Sequence, residues 1–221
     1  AVFFTATDGN HGRGVAWTAR ELGCRAVVRM PRGTVDSRVR NIRALGAEVS
    51  VEDMNYDACV RLAAQQARET PGGVLVQDTA WEGYTQIPMW IMQGYLTMAL
   101  EADEQMDAPP THVFLQAGVG SMAAAVAAYF AGKYAQTPPK IIILEPSAAN
   151  CFYRSAGRGQ IEAVEGDMPT MMAGLACGEP SPIAWDILHA LASAFLSCED
   201  TVTEQGMRLL GRPLDGDPAI T

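Results

Sequence analysis

The sequence is short of lysine, of paired cysteine and of clustered histidine, and each shortage removes a class of function. Lys and Arg together number 16 against 25 Asp and Glu, a formal net charge of -9. With few basic clusters, that balance argues against nucleic acid or an anionic membrane as partner. Cys24, Cys59, Cys151, Cys177 and Cys198 are odd in number, and none forms a C-x-x-C pair. They read as reduced thiols of a cytoplasmic protein, mostly packing residues. The three histidines lie far apart, so there is no zinc signature and no metal is expected. No apolar run reaches membrane-spanning length, the longest being an alanine-rich stretch over 122–131. Nothing reads as a signal peptide, an internal repeat or a low-complexity tract. No Met opens the chain, which starts inside an apparent strand and stops without a closing element. A fragment of a longer protein is therefore expected.

What is present is globular: 48% hydrophobic and 19% charged over 221 residues, enough for one large domain or two small ones. The organising stretch is Thr5-Ala6-Thr7-Asp8-Gly9-Asn10-His11-Gly12-Arg13-Gly14. It joins the end of a buried strand, residues 3–5, to a helix over 11–22. Backbone N–H groups at such a helix start favour an anion or a polar ring oxygen. Asp8 at the lip, among N–H donors, is expected to stay ionised. The plainer reading is a tight turn with Asp8 or Asn10 as helix cap.

Strands over 25–30, 47–51 and 74–77 alternate with helices over 36–45 and 56–69, Asp36 being a plausible N-cap. That order predicts a parallel sheet covered by helices. Gln77-Asp78-Thr79-Ala80-Trp81-Glu82-Gly83-Tyr84 then leaves a strand end, where ligands bind in open parallel sheets. Asp78 and Thr79 are thus candidate substrate contacts, with Thr7; an Asx turn is the alternative for Asp78. A helix over 88–106 follows. A second series comprises a strand over 112–116, a helix over 121–133 and a strand over 140–144. Beyond Glu145-Pro146 the pattern loosens, with a helix over 184–194, a strand over 195–198 and a helix over 199–210 capped by Asp200 or Thr201. The chain divides into a smaller αβ lobe, 1–87, and part of a larger one, 88–221, both incomplete. The fold class is α/β, two open parallel-sheet lobes with flanking helices.

Gln116-Ala117-Gly118-Val119-Gly120-Ser121-Met122-Ala123 joins strand to helix. Its glycines let the backbone approach an anion, and N–H groups of Gly118, Val119, Gly120, Ser121 and Met122 with the Ser121 hydroxyl make a phosphate cradle. A glycine turn that only tightens packing is the alternative. Gly118-x-Gly120-x-x-Ala123 also fits the dinucleotide fingerprint, with Glu145 as the ribose acid of a nucleotide-dependent oxidoreductase. Against that, the unit comes second in the chain, and Glu145 closes its strand directly before Pro146.

The two glycine-rich stretches about a hundred residues apart, followed by Leu144-Glu145-Pro146, resemble the fold-type II pyridoxal-phosphate enzymes (tryptophan synthase β-like) over residues 3 to about 182. With Asp8 before Gly9-Asn10, the Gln77–Tyr84 stretch and Met172-Ala173-Gly174-Leu175-Ala176-Cys177-Gly178-Glu179-Pro180-Ser181, the chain is most similar to the diaminopropionate ammonia-lyases of that family. The resemblance implies pyridoxal phosphate as cofactor and elimination of D- and L-2,3-diaminopropionate to pyruvate and ammonia, with a homodimer as the family's habit. It implies that Asn10 contacts the ring hydroxyl oxygen and that residues 118–122 hold the phosphate. Asp8 is implied as the base for the D-isomer, opposite the face served by a Schiff-base lysine; the simpler role pairs it with the substrate's β-ammonium. The only lysines, Lys133 and Lys140, fit no such lysine site. The fragment alone is therefore expected to be inactive, and the residue that meets the pyridine nitrogen is also expected outside it. A non-catalytic paralogue is the third reading. His11 is expected to pack, Cys177 to be a buried thiol or pocket wall, Met171 and Met172 to be core, and Arg38, Arg40 and Arg43 to form a solvated face.

Overall fold

A computed structural model describes residues 1–214 and 216–220. Its elements run β1 (Val2–Ala6), α1 (Asn10–Glu21), β2 (Arg25–Met30), α2 (Asp36–Arg43), β3 (Glu48–Val51), α3 (Tyr56–Glu69), β4 (Gly73–Leu75) and α4 (Gln86–Glu104). They continue with β5 (His112–Gln116), α5 (Ser121–Lys133), β6 (Lys140–Pro146), α6 (Cys151–Arg158), α7 (Pro182–Leu191), β7 (Ala194–Cys198) and α8 (Asp200–Gly211). The first four strands form one sheet in the order β3-β2-β1-β4, and the last three form another, β5-β6-β7. Every described pairing between these strands is parallel. Strands β1 and β6 are central, and their near-continuous apolar runs, Val2-Phe3-Phe4 and Ile141-Ile142-Ile143, suit strands covered on both faces.

Each sheet has its own core. Met30, Val28 and Ile42 are buried with Ala16 and Ala19 between β2, α1 and α2. In the second, Ile141, Ile143, Phe152 and Leu188 surround the alanines of α5. Ala123, Ala124, Ala125 and Ala127 are all buried, and their small side chains let α5 lie close to both α4 and α7.

Strand β4 is short because its role passes to a side chain. Main-chain pairing with β1 ends at Leu75 and the bond from Val76 N–H to the Phe4 carbonyl. The fully buried Gln77 amide then takes the next rung. Its Oε1 accepts the Ala6 N–H at 2.9 Å, and its Nε2 donates to the Ala6 carbonyl at 3.2 Å. A buried amide so paired leaves neither backbone group of Ala6 unsatisfied.

Several local expectations need correction. Asp36 is the first residue of α2 rather than its cap, which is Val35 with no side-chain bond. Neither Asp200 nor Thr201 caps α8: the cap residue is Glu199, and Asp200 instead accepts the Thr170 hydroxyl and the Met171 N–H. Strand β6 runs on through Glu145 and Pro146, and helix α6 follows where only irregular chain was expected. Met171 is exposed, not core.

Candidate active site

A cavity of about 890 Å³ opens beyond the carboxyl ends of β1, β4 and β5, and reaches along β5 past Phe114. Asp8, Asn10, Asp78 and the loop from Gly118 to Met122 all line it. Thr7 lines it too, whereas Thr79 is not among its walls. Four of the five sequence-selected positions outside the loop (Thr7, Asp8, Asn10 and Asp78) therefore share one space.

The cap residue of α1 is Gly9, neither Asp8 nor Asn10, and the side chain that accepts from its first turn is that of Thr7. The buried Thr7 Oγ1 accepts N–H bonds from Gly9 at 2.9 Å and Gly12 at 3.1 Å. Gly12 is needed for that fit, since a Cβ there would stand 2.3 Å from Thr7 Cγ2. Asn10, the first residue of the helix, is left exposed to the cavity. His11 packs as expected. Its Nε2 lies 3.0 Å from the Val76 carbonyl and 2.9 Å from Thr5 Oγ1. A carbonyl only accepts, so this nitrogen carries the hydrogen.

Asp8 is held mainly by a side chain, with its own backbone N–H a lesser partner. Its carboxylate meets the Arg38 guanidinium, which also donates to the Asp8 carbonyl at 3.2 Å. Burial pushes the Asp8 carboxyl above its ordinary range, Arg38 pulls it back, and the neighbouring Asp78 charge adds to the rise. Arg38 thus belongs to the site, contrary to the solvated-face reading; Arg43 donates to the Val49 carbonyl, and Arg40 alone is simply exposed. Nothing in the linear pattern separates Arg38 from its two neighbours on α2.

Asp78 is oriented from beneath. Its Oδ1 accepts the Tyr56 O–H at 3.2 Å and the Gln77 Nε2 at 3.0 Å. Burial, with the Asp78 charge adding, pushes the Tyr56 phenol well up, so it remains a donor. Tyr56 opens α3 and was not foreseen as a site residue.

The glycine loop has the chemistry of an anion cradle. The first intrahelical bond of α5 runs from Ala124 N–H to the Gly120 carbonyl at 2.8 Å. The N–H groups of Ser121, Met122 and Ala123 precede it and lack an intrahelical acceptor. The loop leaves no room for side chains: a Cβ on Gly118 would meet the Gly174 carbonyl at 3.0 Å and Cys177 Sγ at 3.1 Å. A phosphate fits this donor set. The Ser121 hydroxyl donates to the Asp78 carbonyl, tying the loop to the first sheet's turn. Cys177 is both things expected of it, a cavity wall and buried, and burial pushes its thiol well above the ordinary range. Neither lysine lines the cavity; Lys133 Nζ lies 3.6 Å from Asp103.

Glu145 is not available to a ribose. It is buried at 1% exposure and accepts the N–H groups of Phe152 at 2.9 Å and Tyr153 at 2.7 Å. The dinucleotide reading loses its acid to the start of α6.

Residues 159–181 cross from α6 to α7 over the first sheet's helix α3. Asp57 Oδ2 accepts the Gly178 N–H at 3.0 Å, Asn55 Nδ2 donates to the Gly166 carbonyl, and Arg61 pairs with Glu179 at 2.7 Å. This strap brings Gly174 against the Asp8 carboxylate, where a Cβ would stand 3.5 Å from Oδ2.

Diaminopropionate ammonia-lyase of Escherichia coli (strain K12) is 56% identical over 221 residues, covering 99% of this chain and 55% of that protein. A crystal structure of the Escherichia coli enzyme in complex with an aminoacrylate-PLP azomethine reaction intermediate superposes with a TM-score of 0.93 at 55% identity, covering 99% of this chain and 56% of that one. A crystal structure of a threonine deaminase from T.th. follows at a TM-score of 0.80 and 25% identity, covering 95% and 65%. The chain spans about half the length of the curated relatives it matches. The family model described as "Pyridoxal-phosphate dependent enzyme" matches residues 1–213, and the chain belongs to that family.

Proposed function

We propose that the complete gene product eliminates both amino groups of 2,3-diaminopropionate, D and L, to give pyruvate and ammonia. The observation that carries the reading is the meeting of Asp8, Asp78 and the 118–122 loop in one cavity. The 56% identity to a diaminopropionate ammonia-lyase supports the choice of substrate.

In this reading the loop N–H groups and the start of α5 bind the phosphate, and the Asn10 amide meets the ring hydroxyl oxygen. Asp78, held by Tyr56 and Gln77, faces a substrate ammonium. Asp8 removes the α-proton of the D-isomer, and a lysine outside these 221 residues serves the L-isomer from the other face. Pyridoxal phosphate supplies the electron sink for the pair left on the α-carbon. The strap lies against Asp8 through Gly174 and narrows the opening there. The 221-residue chain alone is inactive and forms no borohydride-reducible adduct, because neither of its lysines reaches the cavity.

The test is a visible spectrum of the complete gene product with pyridoxal phosphate, before and after D- and then L-2,3-diaminopropionate. A yellow band that responds to both isomers, with the Asp8→Asn protein losing its response to D by roughly a hundredfold or more in rate, is expected. A response to L alone in the unsubstituted protein removes Asp8 from its role. No band at all overturns the reading.

A further inference from the structure

Asp8 is the group in the cavity whose charge state matters most to a proton abstraction, and it lies between opposed influences. From α2, Arg38 presents the cation. From the turn after β4, Asp78 presents a second negative charge, and from the strap come Cys177 and the backbone of Gly174. His11 and Arg13 of its own helix line the same cavity. The Asp8 side chain is 21% exposed and Arg38 42%, so their pairing is neither fully dry nor fully screened.

The contact is built at three points. One guanidinium nitrogen of Arg38 meets both the Asp8 carboxylate and the Asp8 main-chain carbonyl. The arginine stem lies along Gly9, where a Cβ would touch Cδ at 3.5 Å. An arginine so placed sets the rotamer of Asp8 as well as offsetting its burial, which a freely solvated cation would not do.

We propose that Arg38 is the positioning residue of Asp8, holding its carboxylate at the cavity mouth in the orientation and charge state that abstraction of the D-isomer's α-proton requires. The inference rests on the reading of Asp8 as that base. Removing the guanidinium leaves a partly buried carboxylate beside the Asp78 charge with its nearest cation gone, so the carboxyl takes up its proton at higher pH. The base is then neutral over part of the range in which it now works.

Two measurements test this separately. The first needs no turnover: a carbon-13 NMR titration of the Asp8 carboxyl, assigned with Asp8→Asn, in the unsubstituted, Arg38→Met and Arg38→Lys proteins. Methionine keeps the stem without the charge, and the Asp8 midpoint is expected to rise by about one pH unit. Lysine keeps the charge without the fork and is expected to return most of that rise. An unmoved midpoint in Arg38→Met overturns the proposal; if that protein does not fold, a D-isomer rate undiminished in Arg38→Lys, which keeps the charge but loses the two-point contact that orients Asp8, does so instead. The second is the pH profile of kcat/KM for each isomer. The acidic limb for the D-isomer is expected to follow the Asp8 midpoint upward while the L-isomer profile keeps its limb. Both limbs moving together would show that Arg38 acts on the cavity as a whole and overturn the assignment. If the unsubstituted protein turns over neither isomer, the elimination reading falls, and the titration still decides whether Arg38 governs Asp8.

Discussion

At Gly120 the backbone turns left-handed, with φ at +92°, and a Cβ would stand 2.3 Å from Phe152 Cζ. Two costs therefore combine at one position, a strained backbone and an overlap with a fully buried ring that cannot swing away. Gly120→Ala is expected to lose about 3 kcal/mol or more of stability, read from chemical denaturation. This is why the loop was legible from sequence: its glycines answer to steric demands that only glycine meets. Asp8 was legible for a related reason, as an acid in a glycine-rich turn at a strand end. Arg38 and Tyr56 were not. Each belongs to an amphipathic helix whose pattern is explained by packing, and each reaches the site only through the arrangement of helices on the sheet.

Among the elements, β2, α3, β5 and α5 have the boundaries that periodicity and glycine punctuation predict. Helix α6 does not announce itself. It has eight residues, carries Gly157, and lacks a local Ser, Thr or Asp bonded at its start. Its first N–H groups are satisfied by Glu145, which lies on the preceding strand and is brought there by a 3-10 turn over Ser147–Ala149. Burial pushes the Glu145 carboxyl up to about 7, against the two N–H bonds that favour its charged form. The folded state thus holds a proton that the unfolded chain, with an ordinary carboxyl, releases near 4.5. Stability from this group is complete below that ordinary value and is lost as pH rises through about 7, on the order of 1.4 kcal/mol for each pH unit between. Glu145→Gln should abolish this slope. Denaturation midpoints compared from about pH 5 to 8 should show the unsubstituted protein falling relative to the variant as pH rises; parallel curves would refute it.

Over the whole molecule, two sheets with separate cores are joined by α4, by the strap and by the bond from Ser121 to Asp78. We read the chain as two lobes meeting near residue 87, with the cavity where their strand ends converge. Among the described residues no helix is long and apolar enough to cross a membrane. The buried tie of the strap to α3 is Asp57, a carboxylate that accepts the Gly178 N–H. Asp57→Ala leaves that N–H without its partner, at a cost of about 1–3 kcal/mol. Hydrogen exchange is expected to quicken over residues 173–178 while β2 keeps its protection. Equal exchange in both proteins would mean that the Arg61–Glu179 pair and the packing of Cys177 suffice. Such a latch joins residues 121 positions apart and has no signature in the sequence.

The rung supplied by Gln77 creates a one-sided dependence. What Gln77 reads in its neighbour is the main chain of Ala6, common to every residue but proline, while the Ala6 side chain packs with Cys59, Val60 and Ala63. Position 6 can change its side chain, within that packing, without the glutamine noticing. Position 77 has no such freedom, because the complementary donor and acceptor must come from one planar amide of one length. Across divergent copies of this fold, substitutions at 6 should accumulate independently of 77, whereas a change at 77 should arrive only with a longer fourth strand that closes the ladder in the ordinary way.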